Sequence, residues 1–178
     1  YQAAATSSNS GYLKRLTGQF AEARALYLES LRVHQELDSV RGVVVAKGYL
    51  GETELALGNL DQAQAYLEEA IALNEQPVHI PESGRIRADL GVLYGMQGRY
   101  EDAREQFTLG ERVLRGLWAL EYGILLCKRG HMEHAAGDGE AALQALIAAQ
   151  SVADGMEAAP ESELSRAIVV LSDKLHSL

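Results

Sequence analysis

Residues 50–70 read LGETELALGNLDQAQAYLEEA, and residues 90–110 read LGVLYGMQGRYEDAREQFTLG. The two stretches align without a gap at an interval of 40 residues: Gly51 meets Gly91 and Gly58 meets Gly98. The same step towards the N-terminus finds Gly11 and Gly18, and a 39-residue step towards the C-terminus finds Gly130 and Gly137. Eight of the chain's 17 glycines therefore occupy two positions of one repeated unit. Such self-similarity marks an array of stacked supersecondary units.

The remaining columns say what the unit is. After the second glycine come Phe20, Leu60, Tyr100 and Gly139, then Ala23, Ala63, Ala103 and Ala142. Tyr27, Leu67, Phe107 and Leu146 follow, and then the small residues Ser30, Ala70, Gly110 and Ala149. Apolar positions three, four and seven apart share one face of a helix. The second glycine suits a helix end in left-handed conformation. The first glycine falls inside a helix, where it costs roughly 1 kcal/mol against alanine; close approach of a neighbouring helix backbone is the expected compensation. Each unit reads as helix, tight turn, helix. The predicted helices are 3–17, 20–36, 39–57, 60–74, 82–97, 100–115, 117–136 and 140–155, with a break bracketed by Pro77 and Pro81. Ser7 and Ser10 stand in the first helix where large apolar residues are usual, so that helix is expected to be frayed or truncated. A last helix follows Pro160, with Leu164, Ala167, Ile168, Leu171 and Leu175 in one apolar stripe that covers the final unit.

Composition agrees with an all-α chain. Helix-favouring Ala, Leu, Glu, Gln and Arg dominate its 178 residues, and there are only three prolines. A net charge of −9 repels polyphosphate, so nucleic acid is not an expected partner. No apolar run reaches the roughly 20 residues that span a bilayer, so no membrane partner is expected. The single cysteine, Cys127, excludes an internal disulfide framework and fits a reducing, cytoplasmic compartment. The first residue is Tyr1 and not Met, which suggests a piece of a larger protein.

The order Leu-Gly, Gly-x-aromatic, Ala, aromatic or Leu, then Ala resembles the tetratricopeptide repeat, in a longer variety of roughly 40 residues. The resemblance covers nearly the whole chain. It implies a right-handed α-solenoid of four helical hairpins plus a C-terminal capping helix. As one domain over 1–178, its units are about 3–38, 39–76, 82–116 and 117–157, with the cap at 160–176. The segments LEYGILLCKRGHMEHAAGD (120–138) and PESELSRAIVVL (160–171) resemble the C-terminal ends of such arrays in bacterial multidomain regulators. The implied function is a protein-interaction scaffold, a regulatory module of a larger signalling protein, holding a peptide or partner domain in a concave groove.

In the resembled family the first helices line that groove. Its rows here are Ser8, Gly48, Ala88 and Cys127; Asn9, Tyr49, Asp89 and Lys128; Tyr12, Glu52, Val92 and His131; and Arg15, Leu55, Gly95 and His134. The groove candidates are Tyr12, Arg15, Tyr49, Glu52, Asp89, Lys128, His131 and His134. The Lys and Asn clamp with which some relatives grip chaperone tails is matched only at Asn9 and Lys128, so that ligand is not expected. Tyrosines for anchoring and charges of both signs suit a peptide of mixed character. The small row and Leu55 are expected to pack against neighbouring helices.

Other chemistry is weakly signalled. None of the patterns G-x-x-x-x-G-K-[ST], H-E-x-x-H or G-x-S-x-G occurs. The string GDGEAA at 137–142 imitates a dinucleotide fingerprint but follows a helix, and Gly137 is the repeat's turn glycine. Cys127, His131 and His134 share a helical face, but a structural zinc site needs a fourth ligand and none is indicated. The acid pairs Glu68-Glu69, Glu101-Asp102 and Glu161/Glu163 suit helix starts and solvent. No enzyme activity, cofactor or metal is expected, and self-association into a homo-oligomer through exposed apolar ends is the alternative function.

Overall fold

The computed structural model describes residues 2–74 and 82–177, with side chains from residue 7 onward. Among them are nine helices: α1 (Gln2–Leu16), α2 (Phe20–Glu36), α3 (Val40–Leu57), α4 (Leu60–Asn74), α5 (Glu82–Met96), α6 (Tyr100–Leu114), α7 (Ala119–Ala135), α8 (Gly139–Gly155) and α9 (Glu163–His176). No strand occurs among the described residues. The predicted helix limits hold within about two residues, α1 runs unbroken through Ser7 and Ser10, and the break bracketed by Pro77 and Pro81 lies outside the described residues. The chain forms two compact units, residues Tyr1–Asp89 and Leu90–Leu178.

The turn glycine behaves as the repeat requires. α3 ends where Gly58 adopts φ +78°, a region costly for any residue with a Cβ. Gly58 N–H then donates to Leu55 O (3.1 Å) and Asn59 N–H to Glu54 O (2.9 Å). This pair of bonds satisfies carbonyls that a helix end otherwise leaves bare. The same two bonds recur at Gly18, Gly98 and Gly137, all with positive φ.

The glycine inside the first helix has a different reason from the expected one. Its main neighbour is a side chain, not a helix backbone. A Cβ on Gly11 would lie 2.8 Å from the Tyr27 ring, on Gly51 2.5 Å from Leu67, and on Gly91 2.9 Å from Phe107. The large residue of the second helix thus lies flat on the glycine of its own hairpin. The fourth copy departs: a Cβ on Gly130 would meet Leu171 of α9 at 2.5 Å. α9 packs on α7 and α8, and its Leu164 and Leu171 are fully buried there, with Ala167, Ile168 and Leu175 partly so. The predicted stripe is therefore the face that closes unit 2.

Within the hairpins the alanine column is fully buried. Ala23, Ala63, Ala103 and Ala142 are all at 0% exposure. In unit 1, Ala23, Tyr27 and Leu31 of α2 pack with Ala46 and Leu50 of α3. Successive hairpins are also joined by charge. Glu54 of α3 is fully buried and accepts from Arg24 Nε of α2 (2.6 Å) and from Asn59 Nδ2 (2.7 Å). Glu133 of α7, equally buried, accepts from Arg104 Nη2 of α6 (2.7 Å). Both acids sit three residues after the first glycine, and both arginines one residue after the alanine.

Candidate binding surface

In unit 1 the first helices of three hairpins, α1, α3 and the start of α5, bring together a set of aromatic and charged side chains. Arg15 Nη1 donates to Glu52 Oε1 (3.3 Å), and Arg85 Nη1 donates to Glu52 Oε2 (3.1 Å) and Asp89 Oδ2 (3.5 Å). The Arg15 guanidinium lies 5.1 Å from the Tyr12 ring centre and that of Arg85 lies 4.2 Å from Tyr49. Such cation–π contacts orient a guanidinium as well as attract it. Tyr49 also stacks on Tyr27, with centroids 5.0 Å apart and planes 9° from parallel.

Burial and charge oppose one another here. Burial pulls the Arg85 guanidinium down, and the carboxylates of Glu52 and Asp89 more than offset it, leaving its pKa raised. Burial pushes the Tyr27 phenol well above its ordinary range, with nearby Arg15 a smaller opposing influence. Tyr27 is thus a protonated donor at any physiological pH.

Of the predicted groove residues, Tyr12, Arg15, Tyr49, Glu52 and Asp89 all belong to this cluster. Asp89 is buried and serves Arg85 from below; the others are half-buried and reach the surface. The small row packs, as expected. Ser8 shares a hydrogen bond with buried Ser30 (2.8 Å), a Cβ on Gly48 would collide with Ile86, and Ala88 and Cys127 are 2% exposed.

Lys128, His131 and His134 lie in unit 2, half-buried on α7. Burial lowers the His131 pKa, and Lys174 of α9 and His134 lower it further. Cys127 is buried in the apolar cluster of Leu126, Leu146 and Leu164, and burial pushes its thiol up to about 11. Among the described residues no three His, Cys, Asp or Glu side chains are grouped to hold a metal ion. Members of the acid pairs are tied up in surface ion pairs, Glu69 with Lys47, Glu101 with Arg104, and Asp102 with Arg99.

Two members of the wall escaped the sequence reading, Arg85 and Tyr27. Arg85 is the one charge in a column of Ala5, Val45 and Ile124, and it stands four residues before Asp89. That odd charge was the available signal. Tyr27 is the one hydroxyl in a column otherwise of Leu67, Phe107 and Leu146.

The tetratricopeptide repeat family model matches residues 2–76 and, in an overlapping register, 43–115. The chain belongs to the tetratricopeptide repeat family. Solved structures show the same fold. BtubC (BKLC) from P. vanneervenii is similar at 18% identity and a TM-score of 0.67, over 88% of this chain and 65% of its own. A putative kinesin light chain of Podospora anserina with nearly identical tetratricopeptide-like repeats is similar at 15% identity and a TM-score of 0.68, over 96% of this chain and 84% of its own. A single-substitution form of that protein gives 0.66. This chain thus spans about two thirds of the length of BtubC. No curated protein sequence matches it. The tetratricopeptide fold is a protein-interaction scaffold, all-α and built by repetition. Among the described residues no helix is long and apolar enough to cross a membrane.

Proposed function

We propose that this repeat protein binds a peptide or partner segment on the wall formed by α1, α3 and the start of α5. In this reading it is a non-enzymatic regulatory module of a larger cytoplasmic, bacterial signalling protein. The chain serves as one domain over 1–178, and Lys128, His131 and His134 of α7 are further binding residues. The observation that carries the reading is the cluster of Tyr12, Arg15, Tyr49, Glu52 and Arg85. Packing alone asks for apolar residues, and the corresponding positions elsewhere in the repeat, such as Val45, Val92 and Leu55, supply them. Half-buried aromatic and arginine side chains are the types that anchor binding partners.

A displayed random-peptide library panned against the chain supplies ligands. The double variant Tyr12→Ala, Arg15→Ala is expected to weaken the best of them at least tenfold, read by fluorescence anisotropy, with the helical circular dichroism unchanged. Unaltered affinity in that variant, or a library that yields no ligand, would remove the wall assignment.

A further inference from the structure

Beneath the wall of unit 1, buried hydrogen-bond donors go unused by the protein. Among the described residues Tyr27 Oη is buried without a partner, and so is Nη2 of Arg85. Buried donors are ordinarily paired, so each unpaired one calls for a reason. The two lie in one neighbourhood, because the Tyr49 ring stacks on Tyr27 at 5.0 Å and lies 4.2 Å from the Arg85 guanidinium. The nearby acceptors are engaged: Glu52 takes Arg15 on one oxygen and Arg85 on the other, and Asp89 takes Arg85. What this place lacks is an acceptor. The repeat itself requires neither donor, since Leu67 and Phe107 fill the place of Tyr27, and Val45 and Ile124 fill that of Arg85.

Glu52 holds its two arginines loosely. Its contacts of 3.3 and 3.1 Å are longer than the ~2.7–2.9 Å of a strong charge-assisted bond. The side chains of Arg15, Glu52 and Arg85 are 16–18% exposed, while Arg85 Nη2 and Tyr27 Oη lie buried beneath them, so an incoming group reaches the two donors only where Glu52 yields.

We propose that the partner presents an acidic side chain to this wall, and that its carboxylate binds Arg85 and the Tyr27 hydroxyl in competition with Glu52. A carboxylate fits better than a backbone carbonyl because it offers two coplanar oxygens to a planar guanidinium and carries the opposite charge. Glu52 keeps the arginines extended in the free protein and yields one of them on binding. This inference rests on the wall being the binding surface, and it adds the chemistry of the ligand.

The test uses the library-derived peptides, each prepared with its acidic residues exchanged singly for the amides. The inference expects one acidic position shared among the tightest peptides, whose Glu→Gln or Asp→Asn exchange weakens binding at least tenfold. Tyr27→Phe removes one oxygen and leaves a ring of the kind that Phe107 places at the equivalent position. It is expected to weaken the acidic peptide five- to tenfold without lowering Tm, and to leave the amide peptide unaffected. Glu52→Gln is expected to tighten the acidic peptide several-fold. Peptides without a shared acid, an amide exchange worth less than twofold, or an indifferent Tyr27→Phe would each overturn the inference. Failure of the underlying wall assignment looks different, because the peptides then ignore Tyr12→Ala, Arg15→Ala as well.

Discussion

In unit 1 a buried glutamate, Glu54, takes an arginine from the preceding hairpin; in unit 2 Glu133 takes Arg104 in the same way. The walls of the two units differ far more. One carries Tyr12, Arg15, Tyr49, Glu52 and Arg85, and the other Lys128, His131 and His134 beside apolar Val92. The joints are buried and must satisfy the geometry of stacking, so the same pairing serves twice. The wall residues are half-buried, and stacking constrains them less. The joint therefore reports on the fold, and under the proposed function the wall is where a partner's chemistry would be read.

The joint is where the comparison breaks most visibly. Arg24 and Arg104 are partly exposed, whereas Glu54 and Glu133 are 0–1% exposed. Removing the arginine strands a buried carboxylate, which costs about 3–5 kcal/mol. Arg24→Met and Arg104→Met are each expected to lose about 3 kcal/mol by urea denaturation. Glu54 keeps Asn59, and Glu133 keeps Arg129 at 3.6 Å, so neither loss should much exceed the other. A loss below about 1 kcal/mol in one unit alone would show that the two joints are alike in geometry only.

The interior glycine sharpens the contrast between the third and fourth copies. Gly91→Ala gains about 1 kcal/mol of helix propensity but drives a methyl into the Phe107 ring, and overpacking of this kind costs about 1–3 kcal/mol. The net expectation is a loss of about 1 kcal/mol, recovered when Phe107→Leu is added. Gly130→Ala meets Leu171, so its rescue should come from Leu171→Val, while Leu146→Val should not help. Double-mutant cycles on thermal unfolding separate these cases. Rescue of Gly130→Ala through Leu146 would mean that α9 does not replace the usual contact.

Most of the architecture was legible because repetition multiplies weak signals. Four turn glycines, four alanines and four large residues in register set the helix limits to about two residues, where a single copy would have left them loose. The wall was legible in part. Repeat register places Tyr12, Arg15, Tyr49 and Glu52 on the first helices, and the structure brings these four together. Arg85 and Tyr27 were missed because register ranks columns by their common member, and these two matter as exceptions. The joints were missed for a related reason. Their columns alternate, Arg24, Gln64, Arg104 and Glu54, Tyr94, Glu133, and no periodic search rewards a pairing present in every second copy. The reason for the interior glycine also lay beyond the sequence, since flat packing of Tyr27 or Phe107 depends on how its hairpin closes.

The smallest expected effect concerns acid. Among the described residues each unit holds one histidine whose pKa burial lowers, His34 in unit 1 and His131 in unit 2. Above pH 6.5, the ordinary value, both forms of the chain leave the ring neutral and it contributes no pH dependence. As pH falls below that value the unfolded chain takes up a proton that the folded chain resists, so stability declines until the lower folded pKa is passed. Urea unfolding at pH 7.5 and 5.5 should show this decline, and His34→Gln and His131→Gln should each flatten it. The causes differ between the units, which allows a sharper test. His131 faces the cations Lys174 from α9 and His134 from its own helix. Lys174→Glu puts an anion in that place and should raise the His131 pKa, recovering stability at pH 5.5. Histidine C–H proton resonances followed across the same range report the pKa directly. If the His131 resonance titrates unchanged in Lys174→Glu, α9 does not set the charge environment of His131, and its lowered pKa comes from burial and His134.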